Sequence, residues 1–149
     1  MSTLSIATSG LSAASLRLNV AASNIANAFT TGPLPATGGS GASGGAANSS
    51  SNSNFPPAYV PLQVNQVDQS SGSTPGGTAA TVTTVSPSFV TQSDPSAPFA
   101  NQDGLVAAPN VDIASQFVQL LTAKYAFAAN AQVIKAYSDT TQSLLDITA

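Results

Sequence analysis

The sequence predicts a mainly α-helical chain in which long N-terminal and C-terminal helices pair as a coiled coil. Two observations predict this fold class. An apolar seven-residue repeat runs through the first 28 residues, and a second apolar repeat runs through the last third of the chain. All ten prolines and ten of the eleven glycines lie between Thr30 and Pro109. The two ends are therefore compatible with long helices, and the region between them is irregular, with a small β-hairpin.

The N-terminal helix is predicted over residues 3–28, with Ser2 or Thr3 as its N-cap. One large and one small apolar residue recur in every seven, as at the a and d positions of a coiled coil. Because alanine fills the second column, the backbone of a partner helix can approach closely. The large column is Leu4, Leu11, Leu18 and Ile25, and the small column is Ala7, Ala14, Ala21 and Ala28.

The middle region is predicted to be extended, with little helix. We divide the chain into an N-terminal helical segment (1–29), a middle region (30–109) and a C-terminal helical segment (110–149). Residues 32–54 are rich in Gly, Ser and Asn, and we expect a flexible loop there because so few large side chains can offset the cost of ordering. Residues 58–67 and 81–90 alternate apolar and polar side chains, which predicts one β-hairpin.

The C-terminal helix is predicted over residues 112–147, a stretch without Gly or Pro, with Asp112 as the N-cap. Its apolar face is wider than a two-helix contact requires, so we expect this helix to contact more than one partner. One column, at intervals of seven, is Ile113, Leu120, Phe127 and Ile134. A second column is Phe117, Ala131 and Leu145, interrupted by Lys124 and Ser138.

The composition argues against catalysis and ligand binding. The chain has no His, Glu or Cys, so the usual general bases and metal ligands are missing, and we expect no enzyme activity, metal or cofactor. Three cations and a net charge of −3 argue against nucleic acid as a partner. Residues 1–15 contain no cation and several hydroxyl side chains, so we expect no cleaved signal peptide. No apolar run is long enough to predict membrane insertion.

Two terminal motifs resemble those of a known family. The run SGLSAASLRLNVAASNIANAFTTG (9–32) resembles the N-terminal motif of flagellar rod and hook proteins, and residues 110–147 resemble their C-terminal helix. The run DPSAPFANQDGLVAAPNV (94–111), together with the short chain, most resembles the FlgC-type proximal-rod branch. Gln116 stands where that family usually has Glu.

The resemblance implies a structural subunit of the basal-body rod, exported without signal cleavage by the flagellar type III apparatus. Such a subunit polymerises in the periplasm with copies of itself and other rod proteins, within the basal-body rings, and transmits torque. Another rod or hook protein, or a helical-hairpin adaptor or export chaperone, remains as an alternative, and assembly size distinguishes them. We expect the assembly interface to comprise the apolar columns of both helices together with Asn24, Asn27 and Asn130.

Overall fold

The computed structural model describes residues 3–35, 55–70 and 76–148. The predicted capping residue Ser2 and residues 36–54 of the predicted flexible loop lie outside the described residues. The chain forms two compact units, one from residues 1–25, 62–84 and 112–149 and the other from residues 26–61 and 85–111. In chain order the elements are α1 (Thr3–Ala26), β1 (Leu62–Asp68), β2 (Thr78–Thr84), β3 (Phe89–Ser93), β4 (Leu105–Pro109) and α2 (Ile113–Thr148).

The first unit contains both long helices, which pair in antiparallel orientation. The Asn24 amide near the end of α1 donates a hydrogen bond to Gln116 near the start of α2. At the other end of the pair, Gly10 of α1 lies against Asn130 of α2. The predicted fold class is confirmed: the protein is mainly α-helical, with paired terminal helices and a β-containing middle.

Both helices begin and end where local chemistry predicts, within two residues. The Asp112 carboxylate accepts hydrogen bonds from the Ala114 backbone N–H (3.1 Å) and from the Ser115 hydroxyl, so Asp112 is the N-cap of α2. The α1 helix ends at Ala26 instead of Ala28, because the chain turns there and the Thr30 N–H donates to the Asn27 carbonyl (3.0 Å).

A β-hairpin made of β1 and β2 packs along α1 in the first unit. The two strands pair antiparallel over seven residues, from Leu62 opposite Thr84 to Asp68 opposite Thr78. A two-stranded ribbon of this length is marginal in water. Its contacts with α1, described below, supply the support that it needs.

The second unit contains the other antiparallel pair, β3 and β4, with Phe89 opposite Pro109 and Ser93 opposite Leu105. The buried strand β4 is bridged on its other side by Gly32, whose N–H and C=O both bond Ala107 at 2.9–3.0 Å. A Cβ at Gly32 would lie 2.2 Å from the Ala58 nitrogen, so only glycine fits there. The beginning of the predicted loop 32–54 is therefore held in a β-bridge.

The predicted hairpin of the middle region is confirmed as β1 and β2, with different strand bounds, and the structure adds a second antiparallel pair, β3 and β4. The predicted strand 81–90 is two strands, because β2 ends at Thr84 and β3 begins at Phe89. Pro87 lies between them after a cis Ser86–Pro87 bond, and proline has no N–H to donate to a strand ladder. No strand is predicted from the sequence over residues 105–109, where the structure has the short strand β4.

Candidate assembly interface

The two helices meet along a line of positions spaced by seven residues. A Cβ atom on Gly10 would lie 2.7 Å from the Asn130 Oδ1, closer than side chains tolerate, so glycine lets the helices approach there. Asn24 meets Gln116 at the other end of the line, fourteen residues away on each helix. Halfway between lie Arg17 on α1 and Ala123 on α2, and Ala123 is fully buried. We call these six residues the seam.

Asn24 joins three elements and is 1% exposed. Its Nδ2 donates to the Leu62 carbonyl of β1 (2.7 Å) and to the Gln116 Oε1 of α2 (3.0 Å). Its Oδ1 accepts the Leu62 N–H (3.0 Å). One buried amide therefore fixes the start of the first strand and the start of the second helix against the end of the first helix.

The β1–β2 hairpin follows α1 from its end toward its start. Beyond the Asn24 contact, the Arg17 Nη2 donates to the Gln66 Oε1 (2.7 Å). Farther toward the N-terminus, the Ser9 hydroxyl donates to the Ile6 carbonyl (2.8 Å) and accepts the Thr78 N–H (3.1 Å). The side chains of α1 thus hold both strands at three levels, and α1 is shared between the hairpin and α2.

The predicted columns of α1 differ in burial. In α1 the small column is buried at Ala7, Ala14 and Ala21, and the buried faces continue through Ala13 and Val20. The large column lies at the edge of this buried face, with Leu11, Leu18 and Ile25 half-buried and Leu4 exposed. Ala28 follows the helix and is buried in the second unit, and Asn27 there is half-buried with its Oδ1 3.5 Å from the Thr30 hydroxyl.

The predicted columns of α2 are split between its inner and outer faces. Ile113, Leu120, Asn130, Ala131 and Ile134 are half-buried, whereas Phe117, Phe127 and Leu145 are exposed. Ala123, at the middle of the helix contact, and Gln116, at one end of it, were not selected from the sequence. Gln116, Ala123 and Asn130 are spaced by seven residues, and this spacing could have identified them. It was missed because two of the three side chains are polar, and the search was for apolar repeats. The part of these residues in assembly stays a prediction.

An apolar stripe runs along the outer side of α2. Val118, Leu121 and Tyr125 are three and four residues apart, so they share one face of the helix, and they are 63%, 49% and 70% exposed. Leu121 and Tyr125 flank Ala123 by two residues, which places them about 160° around the helix from the seam. We call these three residues the outer stripe. The helix therefore has an exposed apolar surface in addition to the face that contacts α1.

Charged side chains are few in this chain: three are basic and six are acidic. No group of three or more acidic side chains suited to a metal ion occurs in residues 3–35, 55–70 and 76–148. The Ser115 hydroxyl lowers the pKa of the Asp112 carboxyl, as expected for an N-cap. Within the same ranges, neither long helix is apolar enough to cross a bilayer. The features of the first unit that bear on assembly are the surfaces of its two helices.

Comparisons with known proteins match both ends of the chain. A family model described as flagella basal body rod protein matches residues 4–33, and one described as the C-terminal region of flagellar basal body rod FlgEFG proteins matches residues 102–147. The flagellar basal-body rod protein FlgC of Salmonella typhimurium is 33% identical over 132 residues, covering 87% of this chain and 83% of that protein. This chain belongs to the flagellar basal-body rod protein family. The FlgC of Escherichia coli O157:H7 shows the same identity and coverage.

The similarity covers the residues that build the seam. The first family match contains the seam residues of α1, and the second contains those of α2 and the outer stripe. The predicted resemblance to FlgC-type rod proteins is confirmed, and so is the prediction of a structural rod subunit. In this rod protein, the paired helices therefore lie within the regions that the family models match.

Proposed function

We propose that this rod protein polymerises through its terminal helices, with copies of itself and with other rod proteins, into the torque-transmitting shaft of the basal body. The outer stripe of α2 is the surface that carries this proposal. Contiguous exposed apolar side chains mark interaction sites on soluble proteins. A neighbouring rod helix covers the stripe in the assembled shaft, while the seam holds the two helices of one subunit together.

One helix contact within the subunit and another between subunits suit a protein that transmits torque. Close-packed helices have low compressibility and transmit strain from one element to the next. Contacts between different faces of successive subunits generate a helical assembly when the rotation between subunits does not close a ring. The function requires no bond to be made or broken, so we propose that the protein has no enzyme activity and needs no cofactor.

The proposal extends to the route and the place of assembly. The protein is exported by the flagellar type III apparatus without loss of an N-terminal segment, and the rod that it joins spans the periplasm inside the basal-body rings. The family to which it belongs supports this route. We propose neither nucleic acid nor lipid as a partner, because so few cations are present to bind phosphate.

Replacement of Leu121 by Asp tests the outer stripe. The variant places a carboxylate in the proposed contact with a neighbouring helix, and an unpaired charge buried there costs several kcal/mol. We expect the protein to be exported and the basal bodies to lack a rod beyond it, as seen by electron microscopy of purified basal bodies.

Asn19→Asp is the matched control. Asn19 is an exposed polar residue of α1, so the same charge there removes no apolar contact area, and cells with this variant should swim. Complete rods and normal motility in the Leu121→Asp strain would refute the proposed interface. Basal bodies of normal composition in a strain lacking the protein altogether would refute the proposed function.

A further inference from the structure

The α2 helix extends past the beginning of its partner helix. The seam contacts place residue 10 opposite residue 130, so the start of α1 at Thr3 lies near the level of residue 137. From there α2 continues to Thr148, a length of about 16 Å. Every side chain from residue 135 to residue 147 is exposed, and Ile147 is 81% exposed. We call residues 138–147 the α2 tail.

The α2 tail carries a carboxylate in an unfavourable place. Asp146 lies two residues before the end of the helix, where the macrodipole disfavours negative charge and favours a cation. The last turn contains no basic residue, and the nearest cation along the helix, Lys135, is three turns away. Asp139, by contrast, lies four residues after Lys135, within reach of an intrahelical pair. Asp146 is therefore the tail carboxylate without a basic residue in reach on its own helix.

A cation without a carboxylate lies at the middle of the helix pair. Arg17, one of only three cations in the sequence, donates to the neutral Gln66 amide, and no described acidic side chain pairs with it. It lines a cleft of about 300 Å³ together with Val64, Val118, Gln119 and Thr122. We call this the Arg17 cleft. It joins one cation to apolar side chains, and through Val118 it is continuous with the outer stripe.

We infer that the α2 tail of one copy docks in the Arg17 cleft of a second copy. Asp146 pairs with Arg17 in the docked state, and the exposed Ile147, the next residue along the helix, covers Val64 and Val118. The five N–H donors of a guanidinium allow Arg17 to keep its bond to Gln66 while it binds a carboxylate. The inference rests on the proposed function and adds which surfaces meet, and through which charge pair.

The tail cannot reach the cleft of its own chain. Thr122 lines the cleft and Ser143 lies in the tail, and both belong to the continuous helix α2. They are 21 residues apart, which separates them by about 32 Å along the axis. A tail bound at the cleft therefore comes from another molecule. Because the two surfaces differ, a copy that offers its tail to one neighbour keeps its own cleft for another, and the contact repeats from copy to copy.

Disulfide cross-linking tests this contact, since the chain has no cysteine of its own. A Thr122→Cys, Ser143→Cys variant leaves Arg17 and Asp146 intact. An internal disulfide is impossible, because it requires Cα atoms within about 7 Å. Mild oxidation of basal bodies purified from this strain should give covalent dimers and longer ladders. The matched control, Asn19→Cys with Ser143→Cys, moves one cysteine out of the cleft and should give none.

Charge exchange in the same cysteine background tests the ion pair. Arg17→Asp should abolish the cross-link, and the further change Asp146→Arg should restore it. Cross-linking that persists in the Arg17→Asp variant, or that is absent from the parent pair in basal bodies containing the protein, overturns the inference. Absence of the protein from purified basal bodies would instead overturn the proposed function, so the two failures are distinguishable.

Discussion

Asn24 is the one polar side chain that is fully buried in residues 3–35, 55–70 and 76–148. Its amide makes three hydrogen bonds, two to Leu62 and one to Gln116, so its burial is offset. A buried amide of this kind favours one register of a helix pair over others. We infer that Asn24 sets the register between α1, β1 and α2.

Replacement of Asn24 by Ala should destabilise the subunit by about 1–3 kcal/mol, because both backbone groups of Leu62 are left buried without a partner. The measurement is the urea concentration at which the protein is released from purified basal bodies, which should fall. Asn19→Ala removes an exposed amide from the same helix and should leave that concentration unchanged. Equal release of the two variants would show that Asn24 does not set the register.

Asn24 was predicted from the sequence as an interface residue, but its hydrogen-bond partners could not be predicted. The family motif singled out Asn24, Asn27 and Asn130 without distinguishing their environments. Asn24 is separated from Leu62 by 38 residues and from Gln116 by 92, and no local pattern encodes such pairings. Asn130 lies against Gly10 and bonds the Ala126 carbonyl of its own helix (2.8 Å), which also required the fold to be known.

At the scale of elements, periodicity predicted both helices but not how they face each other. In α1 both predicted columns lie side by side, and the structure buries the small column more deeply than the large one. In α2 apolar residues surround the helix, and Val118, Leu121 and Tyr125 satisfy the helical period as well as Ile113 and Leu120 do. Periodicity alone therefore did not determine which face of α2 contacts α1. The strands were harder still, because β4 is short and its ladder depends on distant partners.

The beginning of α2 should respond to acid through Asp112. The pKa of this carboxyl is below its ordinary value in the folded protein, chiefly because of the Ser115 hydroxyl. Its contribution to stability is therefore complete above the unfolded-state pKa and is lost as the pH falls through the lowered, folded-state pKa. Above that pH range, the ionised Asp112 carboxylate interacts favourably with the positive, N-terminal end of the helix dipole.

Asp112→Asn tests this contribution, because asparagine caps a helix without titrating. At neutral pH we expect the variant and the parent to be retained alike in basal bodies. On acidification the parent should be released at a higher pH than the variant, since only the parent loses a charged cap. Identical release profiles across the acid range would show that the cap does not limit the acid stability of the assembled protein.

At the scale of the whole molecule, the subunit buries small side chains and exposes large ones. The buried apolar residues of the described chain are alanines, apart from Val20, Val106 and the prolines Pro61 and Pro109. An alanine side chain contributes far less burial free energy than leucine or phenylalanine. The large side chains of α2 are instead on the surface, where a neighbouring subunit can cover them. Stability of the helix pair is thus divided between one chain and the assembly.

The isolated subunit should therefore be less helical than the structure. The two helices contain 60 residues. Because the core consists mainly of alanine and valine, we expect circular dichroism of the dilute protein to show clearly fewer helical residues than this. Raising the protein concentration should increase the helical signal, because association covers the outer stripe and adds the apolar burial that one chain lacks. The same titration with the Leu121→Asp variant is the control and should show little gain. A dilute subunit with all 60 residues helical and a sharp, concentration-independent melt would contradict this prediction. It would mean that contacts within one chain are sufficient to keep both helices folded.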